Sequence, residues 1–256
     1  MLTKEIAKEV KLYNETVKIY YNDKGHKYLL NGKSLLGVTS VLSVINKPAL
    51  VQWAANCVVD YLKVKIEAGA GLDELKLDTL FKEAKQHYKT ISEDAKVFGT
   101  LVHNWIEAYI KGKNPAPLVN DNARKAVDTF LAWAKEKNVK FTSSEKIIYS
   151  KKFDYAGTCD FTCEIDGKRY VGDIKTSKGI YEEYLLQVAA YRYALQEEEG
   201  KDYDGMLIVR IPKSEDDTVE IANVNNYKQN ATAFMNALSL YRHLQLLKAT
   251  KKGDVK

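Results

Sequence analysis

The chain has 256 residues, 45% of them apolar and 29% charged, which is enough to bury a core as one large or two small domains and excludes a disordered, fibrous or linker chain. No run nears the roughly 18 uninterrupted apolar residues of a membrane span, and the N-terminus, with Lys4, Glu5, Lys8 and Glu9, lacks the apolar stretch of a signal peptide, so a cytoplasmic protein without a membrane partner is expected. Thirty-nine basic against 34 acidic side chains leave +5, which permits nucleic acid as a partner without arguing for it, and three cysteines (Cys57, Cys159, Cys163) are too few for a disulfide framework or a four-thiolate cluster.

In chain order, Val17 to Tyr21 and Lys27 to Leu30 read as a hairpin joined by a turn over Asn22-Asp23-Lys24-Gly25. After Gly37, Thr39 or Ser40 is the expected helix cap, and Pro48 opens a helix running through Trp53 and Tyr61 that ends at Gly69 and Gly71. Asp78 to Ile110 has helical spacing (Phe81, Ala84, Tyr88, Ile91) with an expected interruption at Gly99. Lys111 to Pro117 is a connector, and Asn122 to Lys137 an amphipathic helix carrying Val127, Phe130, Leu131 and Ala134. From Lys146 the period changes to alternation, which puts a sheet at the middle of the fold, between helix-rich flanks.

Tyr155 to Ser177 is the most informative stretch. Cys159, Phe161, Cys163 and Ile165 alternate with Asp160, Thr162 and Glu164, and a second alternating run, Tyr170 to Lys175, follows Asp166-Gly167. That pair suits a two-residue type I′ turn, which requires positive φ at both positions. The turn makes Ile165 face Lys168, and the same register sets Glu164 against Arg169, Cys163 against Tyr170, Phe161 against Gly172 and Asp160 against Asp173. Directly opposed carboxylates repel unless a cation lies between them. Carboxylate oxygens suit a hard divalent ion such as Mg²⁺ or Mn²⁺ better than zinc. Lys175, two residues after Asp173, shares its face, where an ammonium can orient a water or balance charge on a phosphate. An isolated Asp-x-Lys is most often a solvated polar face; the opposed Asp160 argues for a site suited to phosphodiester hydrolysis.

Three motifs in order, Tyr155-Ala-Gly-Thr-Cys-Asp160, Gly172-Asp-Ile-Lys-Thr-Ser177 and Gln187-Val-Ala-Ala-Tyr191, together resemble the PD-(D/E)XK nucleases. More narrowly they resemble the RecB-like exonuclease branch, which includes phage exonucleases and the mitochondrial genome maintenance exonuclease. The resemblance extends upstream to Gly99-Thr-Leu-Val-His103 and Val38-Thr-Ser-Val-Leu42 and covers roughly residues 37 to 210.

The resemblance implies an α/β (α+β) fold with a restriction-endonuclease-like core, a central mixed sheet flanked by helices, and an extra N-terminal helical region. It implies a single nuclease domain over 1–256, with an N-terminal elaboration over 1–95, a catalytic core over 96–212 and a C-terminal strand and helix over 213–256. Asp160 and Asp173 would be metal-binding acids, joined by His103 and the Ile174 carbonyl, and Lys175 the catalytic lysine. Gln187 and Tyr191 would lie by the active site, Thr176 and Ser177 would meet a phosphate, and Glu145 matches an acidic position that often precedes the hairpin. The bland alternative for Gln187 and Tyr191 is a polar cap on the core, and for Cys159 and Cys163 it is simply a buried hydrophobe. The implied activity is Mg²⁺- or Mn²⁺-dependent exonuclease cleavage of DNA that is single-stranded or has free ends, without an iron–sulfur cluster. An endonuclease of the same fold on DNA or RNA, and an inactive nucleic-acid-binding protein, stay open as alternatives. No Gly-x-x-x-x-Gly-Lys-Ser/Thr phosphate loop is present, so any unwinding is expected to come from a partner; besides DNA itself, the partners compatible with the resemblance are a helicase, a recombinase or a single-strand-binding protein.

Overall fold

The computed structural model describes residues 8–22, 27–69, 74–211 and 218–253. It is a mixed α/β protein whose chain divides into two compact units, Met1–Ile45 with Val102–Lys256, and Asn46–Leu101.

The first unit opens with an antiparallel sheet of β1 (Lys8–Leu12), β2 (Val17–Asn22), β3 (Lys27–Leu30) and β4 (Lys33–Ser34). The expected hairpin is β2–β3, with Ile19 opposite Leu30 and Asn22 opposite Lys27; most of its turn lies outside the described residues. Alternate β2 residues Val17, Ile19 and Tyr21 are buried, as a half-buried strand requires, in a cluster with Leu12, Tyr28, Leu35, Ile147, Tyr149 and Ala156. β5 (Leu36–Gly37) leads into the short helix α1 (Val38–Val41), whose N-cap is Gly37. Thr39 and Ser40 are therefore inside the helix rather than capping it, because Gly37, already in extended backbone, takes the cap position without a side-chain bond.

In the second unit, α2 (Pro48–Glu67) carries Pro48 in its first turn and stops before Gly69, whose φ of +81° suits a glycine. Helix α3 (Glu74–Ile110) begins in this unit and passes through Gly99 without a break, contrary to the expected interruption. One glycine costs a helix only about 1 kcal/mol relative to alanine, and the strong helix formers around it outweigh that. The buried positions of its first half are Leu80 and Ala84, while Phe81 and Ile91 are exposed. Tyr61 of α2 donates to Glu83 of α3 and packs on His87.

Returning to the first unit, α4 (Asp121–Glu136) is capped by Asn120, whose Oδ1 accepts from the Ala123 N–H at 2.9 Å, and buries Val127, Phe130 and Ala134 as its spacing requires. A mixed sheet follows, built from β5, β6 (Lys140–Ser150), β7 (Tyr155–Ile165), β8 (Lys168–Lys175), β9 (Gly205–Arg210) and β10 (Glu220–Asn223). Its order is β10-β9-β8-β7-β5, with β6 also on β7; the β5–β7 and β8–β9 pairs are parallel and the others antiparallel. Helices α5 (Glu182–Glu199) and α6 (Tyr227–Gly253) pack with it around Val171, Val188, Tyr191, Met206, Ile208 and Phe234.

The β7–β8 hairpin has the expected turn, with φ of 50° at Asp166 and 73° at Gly167, and the expected register from Ile165–Lys168 to Phe161–Gly172. There the ladder stops. Asp160 and Asp173 are not ladder partners; the Asp160 carboxylate instead accepts the Ile174 N–H at 2.7 Å. The face expected to be polar is also buried at Thr162 and Val171, since both sides of the sheet are covered. Along β7, Cys159 belongs to the α5-facing core, whereas Phe161 packs on Trp133 and Phe141. Strict alternation would put these two on one face, so the strand is locally twisted at Asp160, next to Glu145, whose φ is 50°.

The register places the Phe161 ring over Gly172, where an added Cβ would come within 2.0 Å of the ring. Gly172→Ala is expected to lose about 1–3 kcal/mol through overpacking, a fall in Tm of roughly 2–4 °C for each kcal/mol, with partial recovery in Gly172→Ala/Phe161→Leu, both read by thermal denaturation followed by circular dichroism.

Candidate metal centre

The site forms where β7 lacks a neighbour. On one edge β7 pairs with β6 along most of its length; on the other, Tyr155 and Ala156 pair with β5, and Phe161 to Ile165 with β8. Residues 157 to 160 fall between the two, and of the side chains singled out in the sequence His103, Glu145, Asp160, Asp173, Lys175, Gln187 and Tyr191 gather here, whereas those of Thr176 and Ser177 are not brought into contact with them.

Asp173 is fully buried on β8. Its Oδ1 accepts from Gln187 Nε2 at 3.3 Å, and Lys175 Nζ lies 2.6 Å from its Oδ2. The ammonium thus neutralises the charge of a carboxylate that is closed to solvent. Burial, with a smaller push from the Asp160 charge, raises the Asp173 pKa to about 6 against the pull of Lys175. Burial disfavours the Lys175 ammonium, yet Asp173 and Asp160 outweigh it and hold its pKa above the ordinary lysine value.

Asp160 Oδ2 lies 3.7 Å from His103 Nδ1, on the last turns of α3. Burial first, and then the Lys175 charge, push the His103 pKa down to about 4. The imidazole is therefore neutral near pH 7, and its contact with Asp160 is not an ion pair but leaves a nitrogen lone pair to offer. Glu145, on β6, completes a group in which His103, Glu145 and Asp160 each present a ligand atom within 4.8 Å of the others. Burial, together with the Asp160 and Glu107 charges, pushes the Glu145 pKa up to about 8. Like charges crowded and desolvated in this way hold protons unless a cation replaces them.

Asp173 lies outside this group of three, paired with Lys175, and Ile174 stands between them in sequence with its N–H on Asp160. Gln187 and Tyr191 share a face of α5: Gln187 Nε2 donates to Tyr191 Oη at 2.7 Å as well as to Asp173. The Tyr191 ring leaves no room for a side chain at Gly157, where a Cβ would approach it to 2.8 Å. Thr176 and Ser177 follow β8, and the Ser177 hydroxyl donates to the Gly179 carbonyl at 2.7 Å. Motif spacing alone did not reach Glu107, one turn beyond His103 on α3, or Lys111, which pairs with it from just past the end of that helix. The i, i+4 spacing from His103 is the signal that would have found Glu107.

The donor set fits a hard divalent cation: one imidazole nitrogen and two carboxylates converging, with a third, buried carboxylate beside them. Among the described residues this His-Glu-Asp group is the one such cluster.

No family model matches the sequence, and no curated protein matches it. Among solved structures, the chain is similar to a candidate exonuclease from Eubacterium rectale, with 15% identity and a TM-score of 0.39, over 62% of this chain and 69% of that one. It is also similar to SSO0001, with 18% identity and a TM-score of 0.31, over 47% of this chain and 57% of that one. Similarity this distant carries no argument about activity, which rests on the geometry above.

Raised carboxyl pKa values set a pH dependence in metal-free protein. Between the ordinary glutamate value and about 8, folded Glu145 keeps a proton that the unfolded chain has lost, so its contribution is full below that window and is lost as pH rises through it. Asp173, raised to about 6, adds to the lower part of the same fall. In EDTA, Tm should fall from pH 5 to pH 8, less steeply in Glu145→Gln. At pH 8, Mn²⁺ or Mg²⁺ at a hundred times its Kd should restore about 2.7 kcal/mol, roughly 5–10 °C, in wild type but not in His103→Ala.

Proposed function

We propose that this protein is a metal-dependent nuclease of the PD-(D/E)XK type, of the RecB-like exonuclease branch, cleaving DNA that is single-stranded or has free ends. The observation that carries this reading is a half-buried lysine ammonium 2.6 Å from a fully buried aspartate, beside a neutral histidine and two further carboxylates. A structural ion pair needs no such surplus of carboxylates, and acids crowded in greater number than the ammoniums beside them are the arrangement of a site that takes a cation and then a phosphate. The order of the Asp160, Asp173-x-Lys175 and Gln187-x-x-x-Tyr191 motifs agrees with this.

Mg²⁺ or Mn²⁺ would be held by His103, Glu145 and Asp160, with Asp173 and the Ile174 carbonyl as further oxygen donors, and would supply Lewis acidity toward a phosphate oxygen and the attacking water. Lys175, kept charged by its neighbours, orients that water and balances the negative charge that grows on the phosphate. Asp173 holds Lys175 in place, and Gln187 holds Asp173. The water oxygen bonds to phosphorus as the bond from phosphorus to the 3′ oxygen breaks; the water's proton ends on that oxygen, giving a 5′-phosphate and a 3′-hydroxyl. Contacts of this kind read the backbone and carry no base sequence.

The test is cleavage of labelled linear single-stranded, linear duplex and circular single-stranded DNA in Mg²⁺, Mn²⁺ or EDTA. Metal-dependent loss of the linear substrates is expected, falling by about a hundred- to ten-thousand-fold in Lys175→Ala and Asp173→Asn while circular dichroism shows both variants folded. Cutting of circles would make the enzyme an endonuclease, and no cleavage by wild type would overturn the reading.

A further inference from the structure

The segment that joins the Lys175 strand to α5 has a feature that hydrolysis itself does not use. Its last residue, Tyr181, is an aromatic ring left 42% exposed. Tyr109, the other large exposed aromatic of this unit, is stacked nearly parallel on Trp105, whose indole N–H is bonded to the Ala116 carbonyl. Tyr181 meets Tyr184 at 72° with ring centroids 5.5 Å apart, so Tyr184 covers at most one face of it.

This ring is held by an anchored loop. The Ser177 carbonyl accepts from Arg210 Nη1, its hydroxyl donates to the Gly179 carbonyl, and the Tyr184 N–H donates to the Tyr181 carbonyl at 3.0 Å. Ile180 and Tyr184 pack on the core below. Exposed Lys178 adds a positive charge to the same segment. The Tyr184 ring lies 5.0 Å from Lys175 Nζ. Tyr181 is thus one ring beyond the site lysine, a reach that a strand rising about 3.4 Å per nucleotide covers in one to three nucleotides.

We propose that Tyr181 is a stacking platform for a nucleobase of single-stranded DNA close to the scissile phosphate, with Tyr184 as the wedge that fixes its angle. The proposal rests on the nuclease reading and adds to it a base-contacting residue that tolerates any sequence, since every base offers a π-face. It also favours an unpaired strand, because a base must leave its duplex stack to lie on the ring. An ordered loop makes such a contact effective, since little freedom is lost when the base arrives.

The experiment compares wild type, Tyr181→Ala and Tyr181→Phe on single-stranded oligonucleotides that are intact or abasic at one of the three nucleotides on either side of the cleaved bond. Tyr181→Ala should raise KM on the intact strand at least about fivefold, and Tyr181→Phe should stay near wild type. An abasic site at one position should cost wild type a similar factor and Tyr181→Ala nothing further. The same strands titrated by fluorescence anisotropy in Mg²⁺, with Lys175→Ala added to every variant to stop turnover, give the comparison at equilibrium. An unchanged affinity in Tyr181→Ala, or an equal loss on intact and abasic strands at every position, would overturn the stacking role. Failure of wild type to cleave would overturn the nuclease reading alone, since the anisotropy comparison reports on Tyr181 independently.

Discussion

The site depends on an interruption in one edge of β7. Strand β5 pairs with its first two residues and β8 with its last five, so neither strand occupies the edge at residues 157 to 160. Buried backbone groups require partners, and here side chains supply part of what a neighbouring strand would: the Asp160 carboxylate takes the Ile174 N–H, and the Tyr191 ring closes against Gly157. Asp173 can therefore stand fully buried at the middle of a sheet covered on both faces, while Asp160 and Glu145 keep partial exposure. The local twist at Asp160 serves the same end by turning Phe161 toward Trp133 while Cys159 stays on the α5 side.

Charge within that opening is unbalanced. Asp160, Glu145 and Asp173, with Glu107 beside them, outnumber the two ammoniums, Lys175 and Lys111, and His103, its pKa pushed down to about 4 by burial and by Lys175, brings no positive charge near neutrality. Burial first, and the neighbouring carboxylates second, shift Glu145 and Asp173 upward, to about 8 and about 6. A protein with a net charge of +5 thus contains a locally negative pocket. Such a pocket repels a phosphate until a cation has entered, which makes metal binding and substrate binding successive demands on the same residues.

What the sequence made legible was local. Asp166-Gly167 specified both its positive φ values and, through them, five pairs of the hairpin register, because a two-residue turn leaves the strands no choice. Extending that register to Asp160 and Asp173 failed, because the separation of the strands there is set by β5, β6 and α5, whose positions no local pattern encodes. Glu145 was reached through motif resemblance and not through spacing, since it joins His103 and Asp160 only once β6 has paired with β7. Thr162 looked solvent-facing for a similar reason: alternation reports which residues share a face, not whether a second layer covers it.

The Gln187–Tyr191 pair shows how a short spacing can govern a distant orientation. Four residues apart on α5, both point at the sheet, and the Gln187 amide nitrogen bridges Tyr191 Oη and Asp173 Oδ1. The tyrosine is itself fixed by the missing side chain at Gly157, so the position of a glycine on β7 is transmitted through a ring and an amide to a carboxylate on β8. With Oδ1 held in this way, Oδ2 is left turned toward Lys175. A polar cap on the core and a support for the site are thus one arrangement: burial makes the Gln187–Tyr191 hydrogen bond strong, and the bond fixes which oxygen of Asp173 the lysine meets.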